Sequence, residues 1–243
     1  MPARISMTKK QRDVLLALPE TENEIVRHYT LDAEDLTAVA SSRTPETRLS
    51  YALQLCCLRY PGRHLRRGEF LPLVMLDYIA EQVGADAEAI AHFARRGATR
   101  YEQLAAIKQH HGYCDFTRPA RSMLSNWAEQ EAVGLTDGRI LLGRLIEKMR
   151  EEKIVIPGVT VVERLAASAM HAADGMMVTE VSSMLDEGHR HQLDTLLVAK
   201  THARQTRLSW LREPPSRVGA RPLIEILDKI AIVRSSLDGI GTL

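Results

Sequence analysis

SRTPETRLSYALQLCCLRYPGRHLRR, residues 42–67, is the stretch whose reading decides the fold. Thr44, Pro45 and Glu46 spell a helix start: a hydroxyl to cap free backbone N–H groups, a φ fixed for the first turn, and an acid at the positive end of the dipole. On a helical wheel Leu49, Ala52, Leu53, Cys56 and Tyr60 share one face, while Thr47, Arg48, Ser50 and Gln54 lie away from it. Residues 55–58 are apolar all round, so burial on every side is expected there. Pro61 and Gly62 stop the helix. Arg59, Arg63, His64, Arg66 and Arg67 follow with no acid between them. A capped polar nose, a buried tail and neighbouring arginines suit a helix that reads a DNA groove. An arginine cluster is also an ordinary solvated turn, so charge by itself is only a footprint of phosphate contact.

Outward from this stretch, helix signals recur and strand signals are nearly absent, which gives an all-α fold. Thr8 caps a helix through Leu18, residues 22–28 form another, and Asp32 opens DAEDLTAVA. That short helix, a polar turn at Ser41 and Ser42 and the longer helix follow helix-turn-helix order. A second unit repeats the plan. Leu73, Leu76, Ile79, Ala80 and Val83 recur at helical spacing, with Gly84 as a left-handed stop. Asp86 caps AEAIAHFARR, and Thr99 with Glu102 forms a capping box for a helix carrying Tyr101, Leu104, Ile107 and His111. Arg95, Arg96, Arg100 and Lys108 make a second basic patch around that junction.

Further helices are expected at 121–130, 137–152, 159–173, 178–185 and 189–199. Ile154, Val155 and Ile156 read as a brief strand or an extended connector before Pro157. REPPSRVGAR, residues 212–221, has the composition of a linker. Pro222 starts a last helix whose Leu223, Ile226, Leu227, Ile230 and Val233 form a stripe that needs a partner. The expected organisation is two helix-turn-helix-like DNA-binding domains in tandem, 1–68 and 69–120, then a helical domain 121–211, the linker 212–221 and a C-terminal helix 222–243.

Composition narrows the function classes. A chain of 243 residues, 45% hydrophobic, builds a sizeable core, and a net charge of +1 means that any nucleic-acid contact rests on local patches. Cys56, Cys57 and Cys114 are too few and wrongly spaced for a zinc site or a disulfide framework; free thiols in a reducing cytoplasm are expected. No signal peptide or apolar run of membrane-spanning length occurs, so a membrane partner is not expected. The pairs His110–His111 and His189–His191 lack a third ligand at helical spacing, and GxSxG, Cys-His and glycine-rich phosphate motifs are missing. Glu151–Glu152 and Asp186–Glu187 sit at expected helix ends, where acids are ordinarily solvated. Met170, Met176, Met177 and Met184 read as core fillers, and Trp127 and Trp210 as packing anchors. No cofactor, metal or catalytic residue is expected. Three classes stay open on the residues alone: a duplex DNA-binding fragment, a helical interaction module, and an enzyme with an unrecognised site.

YTL (29–31), RLSYALQLCCLRYPGR (48–63), IAEQVG (79–84) and HGYCDF (111–116) together resemble the N-terminal region of Tn-three family transposases. KIVIPGVTVVERL (153–165), LDTLL (193–197) and LSWLREPP (208–215) extend the resemblance over nearly the whole chain, and LCCLRYPGR is its most specific run. The resemblance implies helical domains that bind double-stranded DNA at the terminal inverted repeats of a replicative transposon, in a bacterial cytoplasm and on the nucleoid when bound. It implies strand chemistry in a later RNase H-like domain, whose acids hold divalent metal and whose sheet this chain has hardly a strand to build. Partners would be the transposon ends and either the remainder of a transposase or a second copy of the chain. Thr47, Arg48, Ser50 and Gln54 are then the candidates for base edges, since arginine pairs with guanine and glutamine with adenine. Arg43 joins them as a DNA contact, and Arg59, Arg63, Arg66 and Arg67 suit phosphate clamping. Arg95, Arg96, Arg100, Gln103 and Lys108 take the corresponding places in the second unit.

Overall fold

Thr8, Thr21, Asp32, Thr44, Asp137, Asp186 and Thr206 each accept a hydrogen bond on a side-chain oxygen from a backbone N–H two or three residues on, so short polar residues start these helices. The computed structural model describes residues 5, 7–66, 68–89, 97–198, 205–214 and 219–236. Among them the helices are α1 (Lys9–Leu15), α2 (Glu22–Tyr29), α3 (Ala33–Ala40), α4 (Pro45–Arg59), α5 (Leu73–Val83), α6 (Gly97–His111), α7 (Arg118–Ala132), α8 (Gly138–Glu151), α9 (Val159–Met184), α10 (Glu187–Leu197), α11 (Arg207–Arg212) and α12 (Ala220–Ser236). A 3-10 turn at Ala87–Ala89 follows α5, and the described residues hold no strand, only a single bridge between Cys114 and Ile154. The fold is all-α. The remainder of AEAIAHFARR and the side chain of Thr99 lie outside the described residues.

The chain divides into two compact units, Met1–Asp174 and Gly175–Leu243, with the division inside α9. In the first unit, α4 is the centre. Residues 49–58 are all buried, and α2, α3, α5, α6 and the 3-10 turn pack around them. Ile25, Tyr29, Leu53, Met75, Ile79 and Ile107 are among the side chains of this core. The expected division between residues 68 and 69 falls inside this one core, because α5 and α6 supply its walls. The first unit holds a second core, built by α7, α8 and the first half of α9 around Leu124, Leu141, Leu145, Met149 and Ala166. The connector after α8 joins the two cores by alternation: Val155 enters the first, and Ile154 and Ile156 enter the second. It is an extended connector held by Val155 N–H to Cys114 O and Ile156 N–H to Gly62 O, both at 2.8 Å.

In the second unit α10 packs against α11 and α12. Lys229 of α12 lies over the Trp210 ring of α11 at 4.9 Å and donates to Glu213 O at 2.7 Å. Leu196 is the one buried apolar side chain among this unit's described residues. α9 runs unbroken for 26 residues where two helices separated near Ala173 were expected. One glycine, Gly175, costs a helix only about 1 kcal/mol against alanine, and the alanines, methionines and valines around it carry the helix through.

Candidate nucleic-acid interface

The exposed nose of α4 is built by reciprocal capping. Thr44 Oγ1 accepts from Thr47 N–H at 3.3 Å, and Thr47 Oγ1 accepts from Thr44 N–H at 3.1 Å, while Pro45 opens the first turn. Arg43, one residue before the cap, is exposed. Arg48, half-buried, has its Nε buried with no hydrogen-bond partner among the described residues.

Past Arg48 the expected reading face closes. Ser50 and Gln54 are buried, because α6 lies along that side of α4 and supplies Gln103, itself buried, as their partner. Ser50 Oγ donates to Gln103 Oε1 at 2.5 Å, Gln54 Nε2 donates to the same oxygen at 3.0 Å, and Gln103 Nε2 donates to Thr47 O at 2.9 Å. This corrects the expectation that Ser50 and Gln54 face base edges and that Gln103 contacts DNA from the second unit: in this fold they tie two helices together. The order helix, turn, helix is present, but α4 beyond its first turn has no open face to lay in a groove.

Two expected phosphate clamps are also committed inside the fold. Arg59 donates to Asp35 Oδ2 at 2.7 Å and to Thr30 O at 3.1 Å, with Asp35 buried. Arg63 is 5% exposed; its Nε donates to Leu16 O at 2.9 Å and its two Nη atoms grip the Glu69 carboxylate. Burial alone pushes the Glu69 carboxyl up, but Arg63 and the Arg66 N–H outweigh it and hold it below the ordinary range. Lys108 Nζ meets Asp115 Oδ1 at 2.5 Å. The acid that neutralises Arg59 lies 24 residues upstream, and the one for Arg63 lies six downstream.

What remains open is a junction. Arg100 of α6 donates to the carbonyl of Leu65, one residue before the exposed Arg66, and one turn further along the same helix Gln103 holds Thr47. Arg66 of the first basic patch and Arg100 of the second, some thirty residues apart in sequence, therefore come together near the first turn of α4. Arg43, Arg48, Arg66 and Arg100 belong to it; Arg67, Arg95 and Arg96 lie outside the described residues. His64, unmarked as a contact in the sequence reading, stands at the same place, and its position between two arginines was the available signal. Burial, Lys108 and Arg100 lower its pKa against the opposing pull of Asp115. Among the described residues no group of three or more His, Cys, Asp or Glu is arranged to hold a metal ion, and no helix is long and apolar enough to cross a membrane.

Residues 7–169 match the family described as a domain of unknown function, DUF4158. The transposase of transposon Tn21 from Escherichia coli is 32% identical over 234 residues, covering 95% of this chain and 23% of the transposase. The transposase of Tn501 from Pseudomonas aeruginosa is 31% identical over 235 residues, with the same coverage of 95% and 23%. The transposase of Tn1546 from Enterococcus faecium is 27% identical over 230 residues, 94% of this chain and 23% of that protein. The chain thus spans about a quarter of the length of these relatives. With the motif runs, the all-α core and the family match in agreement, the chain belongs to the DUF4158 family and matches the N-terminal region of Tn-three family transposases.

Proposed function

We propose that this chain binds double-stranded DNA at the terminal inverted repeats of a replicative transposon, as the N-terminal part of a transposase. The observation that supports it most is the junction just described. In a chain matched along 95% of its length by transposases, Arg66 and Arg100, one from each cationic stretch, come together near one exposed helix start. Arg43 and Arg66 supply charge to phosphates and release counterions, the N-terminal dipole of α4 adds to the field, and Arg48 is the candidate for a base edge. No catalytic step is placed in these residues; strand cleavage and joining belong, on this reading, to the rest of a longer enzyme.

The test is binding of the chain to a duplex carrying the terminal inverted repeat of its own transposon, against a scrambled duplex at the same salt. A preference of about 10³-fold or more for the repeat supports the reading; equal affinity overturns it. A second reading, a helical interaction module, draws on one observation. Leu223, Leu227 and Ile230 of α12 are 58%, 56% and 49% exposed along one stripe. Equal affinity for both duplexes would favour it.

A further inference from the structure

Of the tryptophan, tyrosine and phenylalanine rings among the described residues, only two are exposed, Phe70 at 83% and Tyr101 at 75%. Single exposed leucines and valines are ordinary on a protein surface, and this chain has many. These two rings are not scattered. Tyr101 directly follows Arg100, whose guanidinium donates to Leu65 O. Phe70 lies just past a turn that starts at Arg66 and is closed by Glu69 N–H to Arg66 O at 3.4 Å, with Gly68 at φ +71°. Both exposed rings therefore adjoin the place where Arg66 and Arg100 come together. Phe70 also stands on a fastened backbone. Glu69 before it is turned inward, its side chain 15% exposed, and accepts from Arg63 and from Arg66 N–H. Leu71 after it packs against the first core, and Pro72 fixes the next φ.

The charges around the rings say what covers them. Arg63 takes Glu69, the acid next to Phe70, while Arg66 is exposed. On α5 the exposed face turns acidic only at Asp77, one turn beyond Leu73 and Val74, and that marks the limit of the surface. Apolar rings set among exposed guanidinium groups complement a partner with negative charge outside and flat apolar faces within, which describes duplex DNA; an apolar groove on a protein would leave the arginines without counter-charge. We propose that the two rings contact bases of the bound duplex, Phe70 as a wedge that enters a base step and Tyr101 as a surface on which a neighbouring base stacks. The inference rests on the DNA-binding reading above and adds that the duplex is distorted, not only gripped. Arg66 and Arg100 hold phosphates beside the opened step, and the fastened backbone of Phe70 leaves little freedom to be lost on insertion.

The test uses the full 243-residue chain and terminal-repeat duplexes in which the fluorescent adenine analogue 2-aminopurine replaces one adenine at a time. Unstacking brightens this base, so binding of the wild-type chain raises the emission at one or two adjacent positions and leaves the others unchanged. Phe70→Ala abolishes that rise and weakens binding about tenfold, and Tyr101→Ala weakens binding by a similar factor. Neither variant changes the slope of log affinity against log salt, because no phosphate contact is lost, whereas Arg66→Ala lowers the slope by about one. Phe70→Leu, still an apolar wedge, keeps most of the emission and the affinity. Both rings are exposed, so the urea midpoints of these variants stay at the wild-type value; a fall would assign the rings to packing and overturn the inference. Wild-type emission and affinity in Phe70→Ala, with the preference for the repeat intact, overturn the wedge and leave the DNA reading standing. A wild-type chain that binds repeat and scrambled duplexes equally overturns that reading and the wedge with it. A change in the oligomeric state of the free chain on Phe70→Ala, with DNA binding unaltered, assigns the rings to a contact between copies and also overturns it.

Discussion

Gln103 holds α6 against α4 by accepting from Ser50 and Gln54 and donating to Thr47 O, and that makes a group of amides and a hydroxyl a structural joint. Gln103→Ala strands these partners in the core, so the chain should lose about 1–3 kcal/mol in urea denaturation while its preference among DNA sequences stays unchanged. A change in base preference with stability intact would return these residues to the reading surface. Asp35 carries two duties, pairing Arg59 and accepting from the backbone N–H of Asp32 at the start of α3. Asp35→Ala should cost about 3 kcal/mol on the same measurement, since Arg59 then keeps a half-buried charge with only a carbonyl to meet it. His28, His64 and His111 are held below the ordinary imidazole range, with burial the first cause in each. A folded pKa below the unfolded value near 6.5 means that the unfolded chain binds more protons between the two. Their contribution is complete above about pH 6.5 to 7 and is lost as pH falls through 6.5 toward the folded values. The lowered carboxyls of Glu69 and Asp32 contribute in the same sense but further down, below about pH 4.5. The urea midpoint should therefore fall in two stages on acidification, and a flat profile between pH 7 and 5.5 would contradict the histidine part.

At the scale of elements, α4 shows what was legible in the linear chain and what was not. Thr44, Pro45, Gly84 and the caps at Thr8, Asp32 and Asp137 are local signals, and each starts or ends a helix within a residue or two of its expected place. The burial of Gln54 is non-local. Its partner is 49 residues away on α6, and a glutamine facing another glutamine has the same letter as one facing solvent. Arg59 and Arg63 misled for the same reason: a run of arginines without a neighbouring acid reads as free charge until folding brings Asp35 and Glu69 to it. Gly62 was read as a helix stop, and it is also a contact. Its φ is +95°, and a Cβ there would come within 2.8 Å of Ile156 Cδ1. Gly62→Ala should destabilise the chain by about 1–3 kcal/mol through strain and overpacking at the place where the two cores of the first unit touch. An unchanged urea midpoint would show that Ile156 yields without cost.

For the whole molecule, the contrast between the two units matters most. The first has two apolar cores; the second, among its described residues, buries Leu196 and leaves Leu223, Leu227 and Ile230 exposed. Backbone amides of α4 should therefore exchange with solvent orders of magnitude more slowly than those of α10 and α12 in the free chain. Function, on this account, sits in the first unit, at the junction of Arg43, Arg48, Arg66 and Arg100. The most direct measurement is the same amide exchange repeated with the terminal-repeat duplex and with a scrambled duplex at equal salt. Added protection is expected at residues 43–48, 63–66 and the start of α6 with the terminal repeat alone. Identical protection with both duplexes, or protection confined to residues 187–236, would contradict it.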